Sequence, residues 1–280
     1  MADLLWSSGG STSFSTPANW VNLATGVAYG SALASNDRFI FRNGSSTVAP
    51  ITGLNNTALT GCTILIEPGW NYNIGEDGNP LIISSAYILH EGNATLYIQD
   101  GDGTTSDIEI AQRSKSGTAA KIYGNGWSRV HCTMGSTVLA ATAVVTTLEI
   151  GYKNNPDSDA TVSNLAGATV VDVMQNGGIA TFDAIELTDY YMSSGVCNYA
   201  DTSYGSKNVD DLFMSGGIFN YNSGTALTRA FVAGGVLDLT KTAAAKTVTY
   251  GAEYGAGRIV YRPGIDTLTT YRLLGSKGKS

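Results

Sequence analysis

Five times in its second half the chain returns to one short pattern: apolar residues, a small turn, glycine, then a second apolar alternation. Four copies are clear: Val173-Met174-Gln175-Asn176-Gly177-Gly178-Ile179, Tyr191-Met192-Ser193-Ser194-Gly195-Val196, Phe213-Met214-Ser215-Gly216-Gly217-Ile218-Phe219 and Phe231-Val232-Ala233-Gly234-Gly235-Val236-Leu237. A degenerate fifth runs from Tyr250 through Gly255-Ala256-Gly257-Arg258-Ile259-Val260. The last glycines stand at Gly178, Gly195, Gly217, Gly235 and Gly257, a near-constant step. One coil of a β-solenoid, with two or three short strands and their turns, takes roughly 20 residues, which that step matches. A sharp corner between strands often demands positive φ, which glycine adopts without a Cβ clash. Stacked corners would leave the flanking Met, Ile, Val, Phe and Leu pointing inward as ladders, with strands of successive coils paired in parallel. The expected fold is therefore all-β, a right-handed parallel β-helix. Glycine pairs also join hairpins, so an antiparallel β-sandwich or jelly roll is the alternative.

Composition agrees with short strands and tight turns. Of 280 residues, 43% are apolar and 14% charged, with 34 glycines against 6 prolines. Runs such as Arg38-Phe39-Ile40-Phe41, Thr63-Ile64-Leu65-Ile66 and Thr95-Leu96-Tyr97-Ile98 each end at Gly, Asn, Asp or Ser. The net charge of −7 and 16 scattered basic residues supply no stripe for phosphate contacts, so nucleic acid is not an expected partner. No stretch reaches the roughly 20 apolar residues of a membrane helix, and no membrane role is expected. The N-terminus lacks the charged and apolar regions of a signal peptide. Three distant cysteines, Cys62, Cys132 and Cys197, read as buried free thiols, consistent with folding in a reducing cytoplasm.

Residues 1–45 differ from the rest. Trp6, Trp20, Phe39 and Phe41 stand in a small, polar stretch, as expected of a cap or anchor over the open end of a stack. The expected organisation is a cap at 1–45, a β-helix at 46–262 and a tail at 263–280. Basic residues gather near the C-terminus: Arg258, Arg262, Arg272, Lys277 and Lys279. They read as a solvated tail or as an arm that grips an acidic partner.

The opening segment, Trp6-Ser7-Ser8-Gly9-Gly10 through Ala18-Asn19-Trp20 and then Asn36-Asp37-Arg38-Phe39-Ile40-Phe41, resembles that of β-solenoid proteins in bacterial autotransporters and tailed-phage virions. In those, a Trp…Asn-Trp…Asp-x-φ-x-Phe segment precedes the coils. The resemblance covers this opening segment alone at motif level, and the glycine-cornered coils extend it loosely over the rest. Without a secretion signal or a membrane barrel, the virion side of the resemblance is the closer one. It implies a non-enzymatic virion structural protein made in the host cytoplasm, such as a capsid decoration (cement) protein. It further implies a homotrimer that contacts the major capsid protein or other virion proteins. Trp6, Trp20, Phe39 and Phe41, with Arg262, Arg272, Lys277 and Lys279, are the candidate contacts. A tailspike or fibre module that binds or degrades host polysaccharide is the alternative.

Few residues point to chemistry. Glycan hydrolysis needs two carboxyls roughly 5–10 Å apart; Asp183, Glu186 and Asp189 on one coil, with Asp210 and Asp211 on the next, are candidates. The favoured reading of them is solvent-facing residues alternating with Ile185 and Leu187, since no nearby Arg or His cluster strengthens the catalytic one. The acidic run Asp100-Gly101-Asp102-Gly103-Thr104-Thr105-Ser106-Asp107 offers oxygen ligands to calcium but lacks the closing Glu of an EF-hand loop; Asn154 to Asp159 is weaker still. No cofactor is expected. His90 and His131 lack a triad-like neighbourhood. Tyr190, Tyr191, Tyr199, Tyr204 and Tyr221 read either as a sugar- or protein-binding surface or as a stacked core.

Overall fold

The computed structural model describes residues 1–7, 12–42, 51–52, 55–101, 106–112, 117–152, 159–200 and 207–275. These residues form β-strands with no α-helix, and the strands wind as a parallel β-solenoid rather than a sandwich. The chain divides into two compact units, Met1–Val145 and Thr146–Ser280.

The first unit builds its coils from pairs of short strands. In one column Arg38–Phe41 pairs in parallel with Thr63–Ile66, which pairs with Tyr87–His90, then Ser106–Ala111, then the first part of Trp127–Leu139. In a second column Leu81–Ser84, Leu96–Asp100, Ala120–Gly124 and the last part of Trp127–Leu139 follow in the same way. Inward positions stack identical chemistry: Phe39, Ile64, Ile88, Ile108 and Val130 lie on consecutive rungs, all buried. Each such side chain contributes about 2 kcal/mol through removal from water.

At its start this unit closes itself with an antiparallel flap. Asp3–Trp6 pairs antiparallel with Trp20–Asn22, and parallel with Arg38–Phe41 on its other edge. Trp6 and Trp20 meet edge to face at 5.1 Å, Trp20 lies 4.9 Å from Phe39, and Phe41 lies 5.2 Å from Trp70. The Trp20 indole N–H donates to the Phe14 carbonyl at 2.8 Å, which satisfies its polar edge inside the cluster. Parallel pairing therefore begins with Asp3–Trp6 against Arg38–Phe41, inside the segment expected to be cap alone.

The second unit replaces strand pairs with single long, bent strands. Thr169–Asp183, Leu187–Ala200, Val209–Asn222 and Leu227–Asp238 pair in parallel along both legs, before and after a glycine corner. Gly178, Gly195, Gly217 and Gly235 all have positive φ, between 69° and 90°. They stack: a Cβ on Gly235 would sit 2.3 Å from the Gly217 carbonyl oxygen, and one on Gly195 2.5 Å from that of Gly178. Glycine is thus required twice, by dihedral and by closeness of backbones. Gly257 departs from the expected corner. Its coil splits into Thr247–Tyr254 and Arg258–Val260, and the left-handed residue is Gly255, at φ 52°. Gly257 donates its N–H to the Tyr254 carbonyl, and a Cβ there would meet the Val232 carbonyl at 1.9 Å, so close approach alone demands glycine.

Inside the corner, Gln175 is fully buried. Its Nε2 donates to the carbonyls of Gly177, Gly178 and Val196, and its Oε1 accepts from the Tyr190 hydroxyl at 2.6 Å. Cys197 shares an inward row with Ala180, Phe219 and Leu237. Cys62, Cys132 and Cys197 are free and buried, as their sequence settings led one to expect; burial pushes the Cys197 thiol up to about 12. Within the segment expected to be tail, Thr267–Leu274 is a strand that pairs in parallel with Thr247–Tyr254.

Candidate functional site

Residues that alternate with the inward rows of the second unit form outward rows of their own. Just before the glycine corner, Met174, Tyr191, Phe213 and Phe231 occupy one register position on successive rungs. Tyr191 and Phe213 stack at 5.0 Å with 9° between planes, and Phe213 and Phe231 at 5.3 Å with 5°. Tyr250 continues the run at 5.5 Å from Phe231, and the Arg272 guanidinium lies 6.0 Å from the Tyr250 ring centre. Just after the corner, Ile179, Val196, Ile218 and Val236 form a second outward row, in which Ile179 is 46% and Ile218 42% exposed. An open, mostly carbon-lined groove of about 790 Å³ runs along the aromatic row, with Met174, Tyr191, Phe213 and Phe231 in its wall.

Ring orientation limits what this face can bind. Parallel rings about 5 Å apart along the row cover each other's faces and turn their C–H edges outward. A sugar ring seeks the open face of an aromatic; along Tyr191, Phe213 and Phe231 the faces are taken by neighbours. Edges of stacked rings still offer apolar surface to another protein.

Two residues before each outward aromatic stands a charge. Asp172, Asp189 and Asp211 are in register, and Arg229 follows. The Arg229 guanidinium forms a two-pronged ion pair with Asp211. Partial burial, and then the Asp189 carboxylate one rung away, raise the Asp172 carboxyl above its ordinary range. Asp172 was missed by the sequence reading. Its signal lay in the repeat, where Asp172-Val173-Met174, Asp189-Tyr190-Tyr191, Asp211-Leu212-Phe213 and Arg229-Ala230-Phe231 align.

The other carboxylates proposed from sequence go elsewhere. Glu186 pairs with Lys207 at 3.2 Å, and Asp210 accepts from Asn208 at 3.1 Å. Asp183 lies at the far end of its strand, in register with Ala200. Of the candidate set, only Asp189 and Asp211 share a face.

The proposed aromatic contacts are corrected. Trp6, Trp20, Phe39 and Phe41 are fully buried in the first unit, where they pack on each other, so they offer no contact surface. Arg262 is likewise no free arm: it donates to Asp266 and to the carbonyls of Thr242 and Ala244, and it holds the Asp266 carboxyl down to about 2. Arg272 is exposed, whereas Lys277 and Lys279 lie outside the described residues. Tyr190, Tyr199 and Tyr221 are core; Tyr199 and Tyr221 stack at 5.4 Å. Tyr191 alone of the described set faces outward, and Tyr204 is outside it.

His90 is buried in an inward row, with Nε2 2.9 Å from the Ala119 carbonyl, and burial lowers its pKa to about 4. His131 lies 3.1 Å from the Arg129 guanidinium. Residues 102–105 of the acidic run and 153–158 of the second candidate loop are outside the described residues. Among the described residues no cluster of three or more His, Cys, Asp or Glu is placed to hold a metal ion, and no helix is long and apolar enough to cross a membrane.

No family model, curated protein or solved structure matches the chain.

Proposed function

We propose that this chain is a non-enzymatic structural component of a phage virion: a capsid decoration protein that works as a homo-oligomer and binds the major capsid protein. The observation that carries this reading is the pair of outward apolar rows flanking the glycine corner. Soluble proteins that act alone rarely leave a contiguous apolar strip of this kind uncovered. Ring stacks that expose only edges favour a protein partner over a sugar. The opening segment's resemblance to virion solenoids supports the setting. Exposed Ile265 and Leu273, on the C-terminal coil, supply apolar surface for a capsid contact.

The test is co-sedimentation of the purified chain with capsid shells of the phage that encodes it. Saturable binding is expected, weakened by Ile265→Asp with Leu273→Asp while thermal melting is unchanged. A chain that stays in the supernatant at every concentration overturns the assignment.

One observation favours a second reading, a tailspike or fibre module acting on host polysaccharide. Asp172 and Asp189 stand on adjacent rungs, about 4.8 Å apart in backbone spacing, near the separation of retaining glycosidase carboxyls. That reading expects release of reducing sugar from host polysaccharide, abolished by Asp189→Asn; no release from a broad glycan panel defeats it.

A further inference from the structure

We propose that the outward face of the second unit is the interface of an antiparallel homodimer, whose two-fold axis passes between the Asp211 and Arg229 rungs. The inference goes beyond the capsid proposal, because self-association holds or fails whatever larger assembly the chain joins.

The rows are polar along their length. The charged row reads Asp172, Asp189 and Asp211, then Arg229, Tyr250 and Thr270 on the following rungs. The aromatic row starts at Met174, is interrupted after Phe231 by the fully buried Ala252, and ends at Arg272. The aliphatic row starts at Ile179 and ends, through Val236, at Arg258. Acid lies at one end, apolar residues in the middle, and arginine at the other. Five rung steps separate the ends by roughly 24 Å, more than twice the screening length at physiological salt, so the ends present distinct fields.

A two-fold axis across such a face lays each row on the same row reversed. Asp172 of one copy then lies opposite Thr270 of the other, with the long Arg272 side chain two residues along the same rung; Asp189 meets Tyr250, and Phe213 meets Phe231 at the centre. Asp211 and Arg229, already paired within each chain, sit on either side of the axis. Parallel copies, as in the trimer that the opening resemblance implies, would instead hold like charges at equal heights: acid beside acid, and Arg258 within one rung of Arg272. The length of the face and a strand leg of about 13 Å give roughly 300 Å² per copy on the aromatic side of the corner, and the aliphatic leg beyond it brings the total toward the lower bound of stable interfaces. A dimer of micromolar affinity is expected.

Sedimentation equilibrium and light scattering of the full chain test this. The wild type should be a dimer at micromolar concentration. Asp172→Lys sets lysine against Arg272 of the other copy, and Arg272→Asp sets aspartate against Asp172, so each variant alone should dimerise about tenfold more weakly. Mixed in equal amounts, the two variants place lysine against aspartate at one contact and aspartate against arginine at the other. The mixture should therefore dimerise nearly as well as the wild type, which no folding defect could mimic. A wild type that runs as a monomer or a trimer overturns the proposal, and so does a mixture that associates no better than its components.

Discussion

The two units reach the same parallel pairing by different means. In Met1–Val145 the coils join separate short strands through connections of uneven length, until Trp127–Leu139 bends at Gly135 (φ 88°) and serves both columns. In Thr146–Ser280 four successive strands, from Thr169–Asp183 to Leu227–Asp238, each bend at a glycine and continue. The difference lies in the corner. Where Gly178, Gly195, Gly217 and Gly235 stack carbonyl to Cα, both legs of every coil are held in register, and outward rows run unbroken for several rungs. In the first unit close approaches between turns are scattered, as where a Cβ on Gly124 would sit 2.5 Å from the Asp100 carbonyl oxygen; inward rows are continuous, but no outward row of comparable chemistry develops among the described residues. A locked corner therefore produces a surface as well as a core.

Each unit also carries polar side chains buried in its inward rows, among them His90 in the first and Gln175 in the second. Gln175 is bound to its corner by hydrogen bonds on every side. His90 must remain neutral to stay where it is.

The sharpest way to break the comparison is to place the same substitution in both kinds of turn. Gly235→Ala sets a methyl 2.3 Å from a stacked carbonyl at a φ of 78°, and should cost about 3 kcal/mol or more in chemical denaturation. Gly78 has nearly the same φ, 79°, with open space around its missing Cβ; Gly78→Ala should cost only about 1 kcal/mol. Equal losses would mean that stacking contributes nothing to the corner.

Acid should act on the first unit through His90. His90 has a folded pKa of about 4, below the 6.5 of an exposed imidazole. Between those values the unfolded chain binds the proton and the folded one does not. Its contribution is intact above pH 6.5, falls as pH drops, and levels off near pH 4, a total of roughly 3 kcal/mol. His90→Gln should flatten that part of the stability–pH profile; an unchanged slope would assign it to other groups.

Gln175→Leu, which leaves the Tyr190 hydroxyl with the Cys197 thiol alone and strips three corner carbonyls of a donor, should cost about 2 kcal/mol. The smallest expected effect belongs to the outward stack. Tyr191→Ala removes one ring from its end and should lower stability by about 1 kcal/mol, measured at a dilution where the chain is monomeric. A much larger loss would make the aromatic row a part of the core rather than a surface.

How much of this was readable in advance depended on repetition. The glycine period revealed coils in the second unit because four corners recur with the same flanking residues. It failed at Gly257, since a residue required for positive φ and one required for close approach look identical as letters. In the first unit Phe39, Ile64, Ile88 and Ile108 share a row, but uneven spacing and differing neighbours conceal it. The aromatic residues near the N-terminus were visible, yet their placement was misread. Large apolar side chains in a polar stretch signal that something covers them, and here they cover one another. The outward carboxylate row was present in the repeat but only register shows that Asp172, Asp189 and Asp211 share a face.

Read as letters alone, the sequence already implied strands in place of α-helices among the described residues, a second half that coils in step with its glycines, and buried cysteines. Those outcomes follow from local chemistry: β-branched and aromatic alternation, glycine where a Cβ has no room, and thiols set among apolar neighbours. Tertiary structure decided which residues look outward together. Neighbours across a rung are a whole coil apart in the chain, and their alignment is set by backbone hydrogen bonds between coils, which carry no signature in any single stretch of sequence.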